Sequence, residues 1–599
     1  MKTRLIYITL ALLFVLGSVL SGCTPSTPTD APTTSETTEP SGTTDTGTTT
    51  TDTSTQPPAT RETLTLNYMG GAVIEGIAKD QWWTKRLEEE LGVILNVIAY
   101  SDEVYNTGLA SGQLPDVIYL DGAPTKAPNA INAGLVVNFD DYASLLTNVF
   151  NQYPAGSLQF QRDTYGSGEF LYTLPDGPSL TAATDSHIEY GMRLAWEYYM
   201  EYVDANGEPE FNTLNDFLPV IKWMLDKHPE NEDGQRNYGF TFFPSWEGGY
   251  YPMLAVYTTE MLGYYNGLFP LMINMNDLSY NLLWDDDGPA KKMLQFWFDA
   301  NQMGLLDPDM GASDWGDFRA KADAHRTMAC WQSWGTSYDW TKVVPFSEMR
   351  TRVYHGAWPL GNGNGSAIAL WAGNTRGDEY IERSMEFINY MIEYDNAWFI
   401  TYGPQGEFWD LNADGIPYIT EFGATMSGDA TVTLSDGGNP MTAGTMSTLG
   451  YWRYYNPNWI HPTFGVSYST SGWAKLEGHE KTATQQSWEA WAERVHGVVP
   501  APGAELSESR LIDGIGGFAP DLISGPMAPP ELQEFASSMT NVYQSWWEMI
   551  YAKDQKTFDA LWQSTQATLQ GMWEASGLDA SVLAKLYTDQ LAINSKYID

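Results

Sequence analysis

The sequence predicts an α/β protein of two lobes, carried behind an export signal and a polar tether. Three observations predict it. Short apolar strands alternate with amphipathic helices from Arg61 onward, the pattern of a mostly parallel sheet covered by helices on both faces. At 599 residues the chain exceeds what one hydrophobic core holds, since cores stop growing near roughly 250 to 300 residues. Residues 24–60 are almost wholly Thr, Ser, Pro and Gly, and such a segment buries too little apolar surface to order itself.

The elements follow in chain order. Residues 1–22 open with Lys2 and Arg4, continue with an apolar run from Leu5 to Leu20 and end in small residues. The run is too short and wrongly flanked for a membrane span, so it reads as an export signal. Its end, Leu20-Ser21-Gly22-Cys23, resembles a bacterial lipobox, in which the cysteine is acylated and becomes the mature N-terminus. The other cysteine is Cys330. With Cys23 lipidated no disulfide can form, and Cys330, inside Met328-Ala329-Cys330-Trp331, reads as a buried small hydrophobe. The tether, residues 23–60, carries five acids (Asp30, Glu36, Glu39, Asp45, Asp52) and no basic residue. As a flexible coil it spans roughly 30 to 35 Å.

Leu64, Leu66 and Tyr68 alternate as a first strand, leading through Gly70 and Gly71 to Asp80 as a helix N-cap. Trp83, Leu87 and Leu91 share one face of a helix over 81–91, which Gly92 ends. Residues 93–99 and 114–120 read as further strands. Ligands of such sheets sit beyond the carboxyl ends of the strands, which places Gly70, Tyr119 and Asp121 near a site. Helices are predicted over 216–226 and 289–302, with Trp297 in a core stripe with Met293 and Leu294. A final amphipathic pair is predicted over 531–550 and 556–574. No internal repeat is present.

Composition excludes some functions. The chain holds 31 Lys and Arg against 75 Asp and Glu, a net charge of −44, so its surface repels polyanions and a nucleic-acid partner is excluded. Apolar residues at 43% supply a large core, which makes the acidity a folded protein's surface. No GxSxG elbow occurs, and His479-Glu480-Lys481-Thr482-Ala483 lacks the second histidine of HExxH. Two carboxylates facing a sugar could still make a glycosidase. Gly361-Asn362-Gly363-Asn364-Gly365 is no phosphate loop, because neither GxGxxG nor GxxxxGK[ST] is satisfied.

Ser111-Gly112-Gln113-Leu114-Pro115-Asp116 resembles the SGxxPD stretch of extracellular solute-binding protein family 1, lipoproteins that serve sugar ABC transporters. Met192 to Phe217, Met303 to Met310 with Phe318 to Trp331, Tyr402 to Trp409, and Phe558 to Leu578 are similar to the same family in the same order. The likeness runs over roughly residues 62–580, and Ala195-Trp196-Glu197 departs from the family's Asp-Trp-Leu. It implies a type II-like periplasmic-binding-protein fold, with a cleft between two lobes that closes around a solute. The implied crossings are Pro175 to Thr184 and Pro359 to Ser366. The lobes then divide as 61–184 and 366–430 for the first, 185–365 and 431–599 for the second.

Sugar rings stack on aromatic faces while their hydroxyls take polar partners. Aromatic residues are 14% of the chain, with 24 Trp. Several Trp lie in polar or Gly-rich stretches: Trp246 beside Glu247, Trp331 and Trp334, Trp371, and Trp409 near Glu407. Singly, core burial explains each as well; as a set, with Tyr119 and Asp121, they form the expected ligand-binding residues. The net charge disfavours anionic glycans, so a neutral oligosaccharide is expected, although Arg193, Arg352, Arg376 and Arg453 could override this locally. Asp410, Asn412, Asp414, the Ile416 carbonyl and Glu421 satisfy D-x-[DN]-x-[DN]-G-x5-E, the spacing of a calcium loop. Pro417 stands against it, and a β-hairpin turn with solvated acids is the competing reading. Residues 229–234 (PENEDG) have broken ligand spacing.

These readings converge on a monomeric, lipid-anchored binding protein at the extracellular face of the membrane. It delivers an oligosaccharide to ABC transporter permease subunits without catalysis and requires no cofactor, though a structural Ca2+ is open. A secreted glycan-active enzyme and a transporter-independent sensor or adhesin are the alternatives.

Overall fold

In the computed structural model the described residues are 62–70, 76–78, 82–120, 123–178, 187–188, 190–243, 259–268, 270–332, 335–336, 339–354, 367–370, 376–423, 459–468, 473–474, 481–500, 505–512, 517–518 and 529–597. The signal, the lipobox cysteine and the tether lie outside them. Among the described residues no helix is long and apolar enough to cross a membrane.

The first sheet forms from strands whose alternate residues are apolar. It comprises β1 (Leu64–Gly70), β2 (Gly76–Ala78), β3 (Val93–Ala99), β4 (Val117–Leu120), β5 (Leu174–Pro175) and, much later, β15 (Ala367–Leu370). Their order is β2-β3-β1-β4-β15-β5, with β1 parallel to both β3 and β4. Period-2 alternation sends Leu66, Tyr68, Val117 and Tyr119 to one face and Met69, Ile118 and Leu120 to the other. Helices cover both.

The SGQLPD stretch has a local physical reason. Ser111 ends the helix Asp102–Ser111, Gly112 caps it with a φ of 67°, and the chain turns back into β4. Asp116 is 3% exposed, accepts the Asn67 backbone N–H at 2.7 Å and is paired with Arg376. A buried carboxylate thus locks β4 to β1.

The second lobe holds β6 (His187–Ile188), β7 (Tyr190–Ala195), β8 (Tyr238–Phe240), β9 (Tyr264–Leu268), β10 (Leu271–Asn274), β11 (Tyr280–Leu282), β12 (Thr327–Gln332), β13 (Thr341–Val343), β14 (Thr351–Tyr354) and β18 (Gly517–Phe518). They make three sheets, β13-β7-β12-β8, β11-β10-β9 and β18-β14-β6. The helix predicted over 289–302 is present as Pro289–Gln302, and Trp297 is fully buried against Phe240 and Trp331. Cys330 is a buried free thiol, as expected.

Three differences stand out. The terminal helical pair is four helices: Pro530–Ser538, Thr540–Ile550, Gln555–Ser576 and Ala580–Asn594. The last packs Leu583 and Tyr587 against Leu271 and Ile273. Residues 459–474 contribute Trp459, Tyr468 and Trp473 to the first lobe's core, so that lobe's second segment runs past the expected 430. Aromatic packing with Trp398 decides this, Trp473 stacking on it at 4.6 Å. Finally, Ser595–Tyr597 reaches from the second lobe to the helix Ala155–Tyr165 of the first, where Tyr597 meets Phe160 edge-on and bonds Asp163.

Candidate functional site

Strand register locates the junction between the lobes. Ala367, the first residue of β15, lies opposite Leu120, the last of β4, and opposite Pro175, the last of β5. Both crossings therefore meet the first sheet at the carboxyl end of β4. In the second lobe β14 ends with Tyr354 opposite His187, and Tyr190, the first residue of β7, pairs with Gln332, the last of β12. Carboxyl ends of strands from both lobes thus border the same crossings, the place where open α/β sheets take ligands.

On the first lobe this end is organised by Asp176, which is fully buried and accepts the Tyr119 hydroxyl at 3.2 Å. Burial, then Tyr119 and Asp176, push the Tyr68 phenol well above its ordinary value. Tyr153 is pushed the same way by burial and Asp176. Tyr68 and Tyr153 therefore stay protonated at any physiological pH. A Cβ on Gly70 would sit 2.3 Å from the Tyr68 hydroxyl, so any larger residue there must displace that buried ring. Trp459 donates to the Pro178 carbonyl at 3.1 Å, fixing the chain at the start of the first crossing.

On the second lobe Arg193 is 1% exposed and paired with Glu508 of the helix Glu508–Ile512. It also donates to the Thr341 carbonyl at 3.0 Å. This arginine is committed to holding β7, β13 and that helix together.

No protein-family model and no curated protein matches this chain in sequence. Solved structures do match. The S. pneumoniae ABC-transporter substrate-binding protein FusA in complex with kestose aligns with a TM-score of 0.51 at 15% identity, over 90% of this chain and 99% of that one. The alginate-binding protein AlgQ2 without calcium ion aligns with 0.52 at 14%, over 88% and 98%. An HMO-binding, ABC-transporter-associated solute-binding protein from Bifidobacterium longum infantis aligns with 0.50 at 15%, over 90% and 99%. The chain has the solute-binding-protein fold.

Within the solute-binding fold the expected ligand residues separate. Tyr119 stands at the β4 end, as described. Trp331 is 1% exposed and packs on Phe240, Phe242 and Trp297, which makes it a core residue. Trp409 is likewise buried, against Trp398 and Phe464, and donates to the Gly403 carbonyl at 3.0 Å. Both correct the cleft-facing expectation, because each ring is enclosed by other aromatics. Glu407 is half-buried next to Phe408, its carbonyl held by Thr420. Asp121, Trp246, Glu247, Trp334 and Trp371 lie outside the described residues, as do Arg453 and most of both crossings. Asp176, Tyr153 and Trp459 were not singled out by the sequence, and Tyr68 only as a strand residue; Pro175, where an expected crossing begins, pointed near them.

A cavity of about 390 Å³ lies on the second lobe, lined by Tyr199, Glu208, Phe211, Phe346, Trp491 and His496 among others. It contains none of the expected ligand residues. Glu208 there accepts Trp491 Nε1 at 2.6 Å and the Tyr199 hydroxyl at 2.9 Å.

The segment with calcium-loop spacing is a hairpin, β16 (Trp409–Leu411) with β17 (Pro417–Ile419). Asn412 Oδ1 accepts the backbone N–H of Asp414 at 3.0 Å and of Ile416 at 2.9 Å, and the Ile416 carbonyl accepts the Asn412 N–H. Asp410 accepts Gln405 and its neighbour Leu411, which holds its carboxyl below the usual range. Among the described residues no three His, Cys, Asp or Glu side chains gather as a metal site. In this conformation Asn412 serves the turn, and Asp410, Asp414 and Glu421 do not form a three-carboxylate cluster.

Proposed function

We infer that this chain is the binding subunit of an ABC importer, capturing a neutral oligosaccharide between its lobes. What carries the reading is the convergence of β4 and β12 carboxyl ends on the two crossings of a solute-binding fold. Solved proteins of this fold include ones for kestose, HMO and alginate. A ligand that touches both lobes only when they are shut stabilises the shut state, so binding and closure are one equilibrium. The protein returns its ligand unaltered and hands it to permease subunits. A lipid on Cys23 and the tether hold the monomer at the extracellular face. The net charge of −44 favours neutral over anionic glycans.

A thermal-shift screen against neutral and anionic oligosaccharides tests this. A ligand at 100 times its Kd adds about 2.7 kcal/mol of stability, which raises the midpoint visibly. Silence across the glycans with a response to peptides contradicts the reading, and release of new reducing ends would turn it toward an enzyme. A structural calcium at 410–421 rests on ligand spacing alone, and Asn412 Oδ1 would have to release at least one of its two backbone donors to ligate it. Melting with and without chelator separates the readings: a lowered midpoint keeps the ion, an unchanged one removes it.

A further inference from the structure

Gln332 closes β12 at the junction of the lobes, paired with Tyr190 where the chain has just entered the second lobe. The β12–β7 register shifts between Cys330 and Gln332. A bulge of this kind re-aims a side chain and recurs beside binding sites. Gln332 is fully buried, yet among the described residues its Nε2 has no acceptor. Its Oε1 meets the Cys330 thiol at 3.9 Å. An amide donor shut away from water without a partner costs stability, and native proteins leave few of them. Other buried amide nitrogens of this lobe have acceptors: Gln485 Nε2 donates to Glu489 at 2.9 Å, and Asn237 Nδ2 to the His228 carbonyl at 3.0 Å, although Asn237 Oδ1 lacks a donor. The chain also makes room for this amide, since a Cβ on Gly335 would lie 2.7 Å from Gln332 Oε1 and 2.8 Å from Cys330 Sγ.

We propose that Gln332 is a specificity-determining donor of the binding site, its Nε2 reading a hydroxyl or ring oxygen of the bound oligosaccharide. The proposal rests on the oligosaccharide reading and adds a residue to it. A polar group that costs stability in the unliganded protein is retained where the ligand supplies the missing partner. A ligand lacking an acceptor at that position is then rejected, because the donor stays unpaired.

The test uses the full chain and the replacement Gln332→Met, which keeps the volume and removes the amide, with Gln332→Leu as a second apolar variant. Unliganded melting and titration with kestose, maltotriose, cellotriose and raffinose are the two measurements. The expected result is an unliganded midpoint equal to or above wild type, with at least tenfold weaker binding of whichever trisaccharide shifts the wild-type protein. If wild type binds and both variants bind equally well, this inference falls and the oligosaccharide reading stands. A lowered unliganded midpoint in both variants makes the amide structural and overturns the inference. Should the wild-type protein stay silent to these four and to every other neutral oligosaccharide of the thermal-shift screen, the neutral-oligosaccharide reading falls and carries Gln332 with it.

Discussion

Tyr119 donates its hydroxyl to the fully buried Asp176, and Tyr68 and Tyr153 crowd the same carboxylate. Tyr119→Phe removes that donor while leaving the charge buried, and should cost about 1 to 3 kcal/mol in urea unfolding. Arg193 and Glu508 form the parallel case in the second lobe, with side chains 1% and 12% exposed. Glu508→Gln removes the negative partner of a buried guanidinium and should cost roughly 3 to 5 kcal/mol; a change below 1 kcal/mol would show that the arginine's remaining hydrogen bonds satisfy it. Tyr119 was legible in the sequence because a strand's carboxyl end is readable from alternation. Its partner was not: Asp176 sits 57 residues away, and nothing local marks an aspartate that tertiary packing will bury. Trp331 and Trp409 misled for the mirror reason. Polar neighbours in sequence say little about which rings close over an indole in space.

Elements with a clear period were legible. Residues 93–99 and 289–302 form where the alternation and the 3.6-residue stripe place them. Strands of two or three residues such as β5, β6 and β8 carry too few positions to show any period. Caps support the helices that do form: Ser101 accepts the Val104 N–H at 3.1 Å, and Ser101→Ala should lower stability by about 1 kcal/mol. The helix Ala483–His496 is tied down through Glu489. Burial raises this carboxyl's pKa, but bonds from Lys481, Gln485 and the Leu506 N–H outweigh it and hold the value below the ordinary glutamate range. The folded state therefore binds fewer protons there than the unfolded chain. Its stabilising contribution is present above the ordinary glutamate pKa and is lost as pH falls through the depressed value. Urea midpoints measured from pH 6 down to 3 should fall less steeply for Glu489→Gln than for wild type.

At the scale of the molecule, more than one core follows from length, and the chain's passage between two lobes from the family resemblance, but the return of residues 459–468 and 473–474 to the first lobe follows from neither. That return depends on Trp398, Trp459 and Trp473 finding one another, a contact no local pattern announces. Tyr597 likewise joins the lobes a further time, its carbonyl 2.4 Å from where a Cβ on Gly156 would stand. Gly156→Ala should displace Tyr597 and speed proteolysis around residues 595–597, with both cores intact by near-UV circular dichroism. The −44 charge is a property of the whole surface and repels polyanions at long range. Calorimetric titration of the intact chain with neutral and anionic oligosaccharides, with the sugar recovered and analysed afterwards, addresses the central claim most directly. Saturable one-to-one binding of a neutral oligosaccharide recovered unchanged is the predicted result; no heat with any glycan, or a cleaved sugar in the cell, would contradict it.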